Sequence, residues 1–119
     1  MGNQQNSGRF RVLVCDDLAS NRAALRLRLD REFDVAEAVD GEDALALTRS
    51  FKPDVILLDF IMPGLSGVDV CRRLRAEPST QSIPVLMVTA NSGRDARLEA
   101  IGAGATDFLT KPIDELEVV

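Results

Sequence analysis

Hydrophobic runs in this chain each end on a polar side chain suited to chemistry. Val12–Cys15 leads into Asp16-Asp17, and Val55–Leu58 leads into Asp59. Ile83–Val88 leads into Thr89, and Phe108–Thr110 leads into Lys111. The runs are short, rich in β-branched residues and bounded by turn residues, which predicts buried strands. If the strands are parallel, all of these polar groups share one edge of a sheet. In open α/β sheets that carboxyl edge is where ligands bind.

The intervening segments carry helical periodicity. Phe10–Cys15 is predicted as the first strand. Ser20 or Asn21 caps a helix to about Glu32, with Leu25 and Leu29 on one face and the arginines largely on the other. A short strand near Phe33–Val39 precedes Asp40-Gly41 and a helix carrying Ala44, Leu45, Leu47 and Phe51. Lys52-Pro53 ends that helix, because the residue before proline is pushed out of the helical region. The third strand is Asp54–Leu58, and a Pro63-Gly64 turn leads to Ser66 as cap of a helix holding Val70, Cys71 and Leu74. Ile83–Val88 is the fourth strand. A helix over Arg94–Ala103 gives way at Gly102 and Gly104 to a fifth strand near Ala105–Leu109.

Nearly continuous apolar strands alternating with helices predict a parallel sheet covered on both faces. Right-handed crossovers then select a doubly wound, flavodoxin-like α/β fold with strand order 2-1-3-4-5. Residues 1–8 are polar and aperiodic and read as a disordered tail, which leaves residues 9–119 as one domain.

Composition narrows the function. The 119 residues suffice for one core, and a net charge of -5 argues against a nucleic-acid surface. Cys15 and Cys71 read as small core residues, with neither a zinc spacing nor a disulfide framework. There is no apolar run of membrane-spanning length and no signal-peptide pattern, so the expected location is cytoplasmic and away from membranes. Arginine dominates the basic residues, which makes Lys111 stand out at its strand end.

In the doubly wound order strands one and three are neighbours, so Asp16, Asp17 and Asp59 should converge. Like charges at about 4 Å repel by roughly 4 kcal/mol at an effective dielectric near 20. A cation relieves that repulsion, and oxygen donors without any histidine select a hard one such as Mg2+. An adjacent acid pair alone would more often be a solvated loop; Asp59 on the neighbouring strand end changes that balance. Thr89 and Lys111 are suitable partners for phosphoryl oxygens, although each taken alone reads as a local backbone contact or a surface charge.

The combination of Asp16-Asp17, Pro53 through Asp59 with Met62-Pro63-Gly64, Val88-Thr89-Ala90, and Gly102-Ala103 through Lys111-Pro112 resembles the receiver domain of two-component response regulators. The resemblance implies that Asp59 accepts a phosphoryl group from a sensor histidine kinase or a histidine phosphotransfer protein. It implies a metal site made by Asp17, Asp59 and the backbone carbonyl of Ile61, with Asp16 acting largely through water and Mn2+ as a substitute for Mg2+. Thr89 and Lys111 would contact the phosphoryl oxygens. Phe108 would be the switch aromatic, turning inward as Thr89 is drawn to the phosphate; an ordinary core phenylalanine is the plainer reading of that position. Such a domain is no enzyme beyond its own phosphorylation and dephosphorylation. A cis peptide before Pro112 would aim Lys111 into the site.

Ser66 stands where many relatives carry an acid. The family uses the positions of Ile61 and Asn91 to tune access of water to the acyl phosphate, and an apolar Ile61 is expected to slow hydrolysis. A flavodoxin-type carrier would need a phosphate loop after strand one and aromatics to sandwich a flavin. This chain has Asp16-Asp17 there and no Trp or Tyr. A Mg2+-dependent phosphatase with an aspartyl nucleophile usually has a second acid where Ile61 stands. A receiver-like interaction module without phosphorylation is a third alternative. Asp114 looks like the cap of a fifth helix, and the sequence ends after little more than one further turn. The expectation is therefore an output domain or effector protein elsewhere, with homodimerisation through the face of helix four, strand five and helix five. The run Asp107–Asp114 resembles receivers that precede GGDEF-type diguanylate cyclase domains, although hybrid kinases and other regulators carry similar stretches, and a stand-alone regulator is the alternative.

Overall fold

A computed structural model describes residues 9–89 and 93–110. Along the chain run β1 (Arg11–Cys15), α1 (Ala19–Leu29), β2 (Asp34–Ala38), α2 (Gly41–Phe51) and β3 (Val55–Asp59). They are followed by α3 (Gly67–Ala76), β4 (Val85–Thr89), α4 (Arg94–Gly102) and β5 (Asp107–Thr110). The strands form one parallel sheet in the order β2-β1-β3-β4-β5, as the alternation predicts. The expected fifth helix lies outside the described residues, as does the expected N-terminal tail.

Side-chain alternation divides the core into two layers. Leu13, Cys15, Ile56, Leu58, Val85, Met87 and Phe108 face one side, where Ala44 and Leu45 of α2, Val70, Cys71 and Leu74 of α3, and Ala96 and Ala100 of α4 meet them. Val12, Val14, Leu57 and Val88 face the other side and pack with Leu29 and Leu25 of α1. Strands buried on both faces explain why their sequences are continuously apolar.

Local chemistry fixes the helix ends. Ser66 caps α3 with a full capping box: its hydroxyl accepts from the Asp69 amide at 3.2 Å, and the Asp69 carboxylate accepts from the Ser66 amide at 3.2 Å. Asp40 caps α2 by accepting from the Asp43 amide at 2.8 Å. At the other end of α2, Lys52 leaves the helix in the left-handed region, at φ 55°. At the end of α3, Arg75 donates to the carbonyls of Gly104 at 2.9 Å, Gln81 at 3.1 Å and Ile83 at 2.7 Å. One guanidinium thereby ties together the loops that enter β4 and β5.

The arginines of α1 are not merely a solvated face, as the periodicity alone suggests. Arg26 and Arg22 grip Glu37 of β2 at 2.6 and 3.1 Å. Arg22 also donates to the Asp16 backbone carbonyl at 2.7 Å. The edge strand is thus linked through α1 to the start of the acidic loop. The hydrogen bond from Arg26, then that from Arg22, holds the Glu37 carboxyl below its ordinary value of 4.5 against the opposing effect of burial. A depressed carboxyl contributes stability above its unfolded value and loses it as pH falls through the folded one. Glu37→Gln should therefore cost about 1 kcal/mol near neutral pH, with the difference from the parent closing below pH 4.5, as read by urea denaturation at several pH values.

Gly67 opens α3 directly against the end of β3. A Cβ there would lie 2.3 Å from the Asp59 carbonyl oxygen and 2.8 Å from the Met87 sulfur, whereas one at Gly102 would meet nothing within 4 Å. Gly67→Ala is expected to destabilise by about 1–3 kcal/mol through backbone displacement. Gly102→Ala should be neutral or stabilise by up to about 1 kcal/mol. Equal urea midpoints for the two variants would contradict this packing.

Candidate functional site

β1 and β3 are neighbours, with Cys15 opposite Leu58, so the chain leaves β1 beside Asp59. Asp16, Asp17 and Asp59 each bring a carboxylate oxygen into a group whose members all lie within 4.8 Å of one another. Asp16 and Asp59 are buried, at 3% and 7% exposure, and Asp17 is exposed. The convergence expected from the strand order is therefore present.

Asp16 is held on both oxygens. Oδ1 accepts from the Leu18 amide at 2.9 Å, and Oδ2 accepts from the Asn21 side chain at 3.2 Å. Leu18, not Ser20 or Asn21, is the residue at the N-cap of α1, and it makes no side-chain cap bond. The Asp16 carboxylate explains the difference, because it reaches forward to the helix start from two residues upstream. The Asn21 side chain, read as a cap, instead orients an acid of the cluster.

Asp59 is the last residue of β3 rather than the first after it, and Thr89 likewise closes β4. Backbone pairing continues past the Asp59 side chain. The Phe60 amide donates to the Val88 carbonyl at 2.9 Å, and the Gly67 amide donates to the Phe60 carbonyl at 3.0 Å. Thr89 is 1% exposed and pairs in register with Thr110 of β5. Lys111, the next residue, lies outside the described residues, as do Asn91 and the peptide before Pro112. The Ile61 side chain is exposed.

Beneath the acids lies Cys15, buried and without a disulfide. Its Sγ is 3.4 Å from both the Asp40 carbonyl oxygen and the Met62 sulfur. Burial first, then the negative charges of Asp59, Asp16, Asp40 and Asp43, pushes the thiol up from 9.0 to about 12. The thiol stays neutral at physiological pH and forms an uncharged floor under the carboxylates. Cys71 is also buried and is raised, chiefly by burial.

Phe108 points inward at 3% exposure. Its ring stands edge-on to that of Phe60, 6.3 Å between centroids at 80°, and the Arg97 guanidinium lies 5.1 Å from its centroid. Neither neighbour is among the residues the sequence pattern selects. The register Leu58↔Met87↔Phe108 accounts for Phe60, which follows Leu58 by two residues on the same face.

Every donor in the acidic cluster is oxygen, and the chain has no histidine. That set fits a hard divalent cation such as Mg2+ and not a soft one. Among the described residues no helix is long and apolar enough to cross a membrane.

Comparison with known proteins gives a consistent pattern. Residues 12–119 match the response regulator receiver domain family. Response regulator PleD of Caulobacter vibrioides is 47% identical over 107 residues, covering 89% of this chain and 24% of that protein. Protein PilH of Pseudomonas aeruginosa is 39% identical over 106 residues, covering 88% of each. The chemotaxis protein CheY4 of Vibrio cholerae superposes with a TM-score of 0.87 at 31% identity, covering 92% of both chains. The chain thus spans about a quarter of the length of its relative PleD and nearly all of PilH.

The crowding of the acids has a measurable consequence. In chelator, Asp17→Asn should raise the unfolding free energy by an amount of order 1 kcal/mol, since Asp17 is exposed and its repulsion is screened. Added Mg2+ should stabilise the parent and leave the variant nearly unchanged, as read by thermal unfolding with and without metal.

Proposed function

The chain belongs to the response regulator receiver domain family, and on that premise we propose that Asp59 is its phosphoacceptor. The observation that carries this reading is the convergence of the Asp16, Asp17 and Asp59 carboxylates within 4.8 Å at the carboxyl edge of the sheet. An Asp59 oxygen attacks the phosphorus of a phosphohistidine on a sensor kinase or a phosphotransfer protein. A P–O bond forms, the P–N bond breaks, and the imidazole nitrogen leaves with the electron pair. Hydrolysis reverses the modification: water attacks phosphorus, inorganic phosphate departs, and the Asp59 carboxylate is restored.

Asp17, Asp59 and the Ile61 carbonyl would hold Mg2+, or Mn2+ in its place, with Asp16 reaching it through water. The engagement of both Asp16 oxygens by Leu18 and Asn21, against the exposure of Asp17, supports that division of labour. The bound cation would offset the repulsion between carboxylate and phosphate and align their oxygens. In our reading Thr89 and Lys111 take the phosphoryl oxygens of the product by hydrogen bond and ion pair. The Thr89 hydroxyl then moves toward the phosphate, and Phe108, which already points inward at 3% exposure and so has no inward turn left to make, repacks toward the vacated space. The exposed Ile61 side chain limits approach of water to the acyl phosphate and prolongs its life.

The domain works in the cytoplasm and passes its state to an output domain or effector, or to a second copy through the face that includes α4 and β5. Exposed Leu98 and Ile101, one turn apart on α4, support that face as an apolar contact. A GGDEF-type output is the specific form we favour, from the resemblance of residues 107–114.

Incubation with acetyl phosphate and Mg2+ should add the mass of one phosphate, stable in acid and labile in base. Asp59→Asn should take up none, and Asp17→Ala should impair uptake more than Asp16→Ala. Undiminished modification of Asp59→Asn, or of the parent in excess chelator, would falsify the assignment.

A further inference from the structure

We propose that Phe60 and Arg97, with Phe108 between them, form the mechanical link that carries a change at Asp59 to α4. This rests on the reading of Asp59 as the phosphoacceptor. Phe60 is the next residue after Asp59, and its backbone is fixed to β4 by the bond to the Val88 carbonyl. Its ring meets the Phe108 ring edge-on at 80°. The same ring is met by Arg97 of α4, whose guanidinium lies 5.1 Å from the Phe108 centroid. A backbone shift at the Asp59 carboxyl end therefore has a continuous path of oriented contacts into α4.

The contacts are of the kind that fix a ring's orientation and not merely its burial. The positive edge of one aromatic ring meets the negative face of the other at a preferred angle, and a cation seeks the ring face. Phenylalanine has no hydroxyl, so no side-chain hydrogen bond can orient the Phe108 ring. Its orientation depends on these contacts and on packing. α4 buries only Ala96 and Ala100 within its own span and starts at Gly93 without a side-chain cap bond. Arg97, the residue after Ala96, thus supplies a directional attachment to β5 that the alanines cannot. It acts as a positioning residue: it touches neither the acids nor a phosphoryl group.

The full chain grown with 4-fluorophenylalanine gives one fluorine signal for each of its five phenylalanines, assigned with Phe60→Leu and Phe108→Leu. The parent, Arg97→Gln and Arg97→Lys are compared before and after acetyl phosphate with Mg2+, with phosphate uptake read by mass and α4 amides by NMR. Glutamine keeps helix propensity and bulk without the charge. We expect Arg97→Gln to accept phosphate at the parental rate and to move the resting Phe108 signal. We also expect its phosphorylation-linked α4 shifts to fall by about two- to five-fold. Arg97→Lys, which keeps a cation for the ring, should recover most of the α4 response. Normal phosphate uptake by Arg97→Gln with undiminished α4 shifts overturns the link while leaving Asp59 as acceptor. A resting Phe108 signal that Arg97→Gln does not move overturns it as well. A parent that takes up no phosphate overturns the acceptor and the link together.

Discussion

Bringing three carboxylates together at the end of a sheet is the constraint around which this molecule is built. At the 4.8 Å limit of the cluster each charged pair repels by about 3 kcal/mol at an effective dielectric near 20, less for exposed Asp17. The surroundings oppose that cost in separate ways. Asp16 receives two hydrogen bonds, one from the start of α1 and one from Asn21. Arg22 binds the Asp16 carbonyl and is itself held by Glu37 of β2. The Cys15 thiol below stays neutral and adds no further charge. A hard cation would complete the balance, and the mutual repulsion of the carboxylates would supply part of the driving force for taking one up.

Much of this was legible in the residues, for a definite physical reason. Strands covered on both faces must be apolar throughout, so the first charged or hydroxyl residue marks where the strand reaches the edge. That rule located Asp16, Asp17, Asp59 and Thr89 correctly, while erring by one residue on whether Asp59 and Thr89 lie within their strands. The error arises because ladder hydrogen bonds, such as that from Phe60 to Val88, belong to the backbone and leave no mark in side-chain type. The start of α1 was misread because the carboxylate that orders it, that of Asp16, sits upstream of the helix and not at its first residues. The rule for a residue before proline said that Lys52 must leave the helix, and could not say that it would do so with a positive φ. Arg22 and Arg26 looked like solvated charges because a guanidinium's partner is chosen by tertiary proximity, which periodicity does not encode. Lys111 is a sequence expectation beyond the described residues.

The two halves of the inner layer are attached to the sheet with unequal firmness. α3 buries Gly67, Val68, Val70, Cys71 and Leu74 and starts with a closed capping box, whereas α4 buries two alanines and starts without a side-chain cap bond. Apolar burial scales with side-chain area, so α3 is the better anchored by several methylene groups' worth of transfer energy, each about 0.8 kcal/mol.

The absent side chain at Gly67 gives that inequality a further meaning. With no room for a Cβ between the helix and the Asp59 carbonyl, α3 and the end of β3 are in backbone contact and travel as one body. A chemical event at Asp59 cannot be absorbed by compressing that contact, because nothing there is compressible. Displacement must be taken up on the opposite flank, where α4 is held by two buried alanines and by the cation over the Phe108 ring. The missing methyl group thus acts as a fulcrum: it sets which side of the domain stays still and so which side can speak.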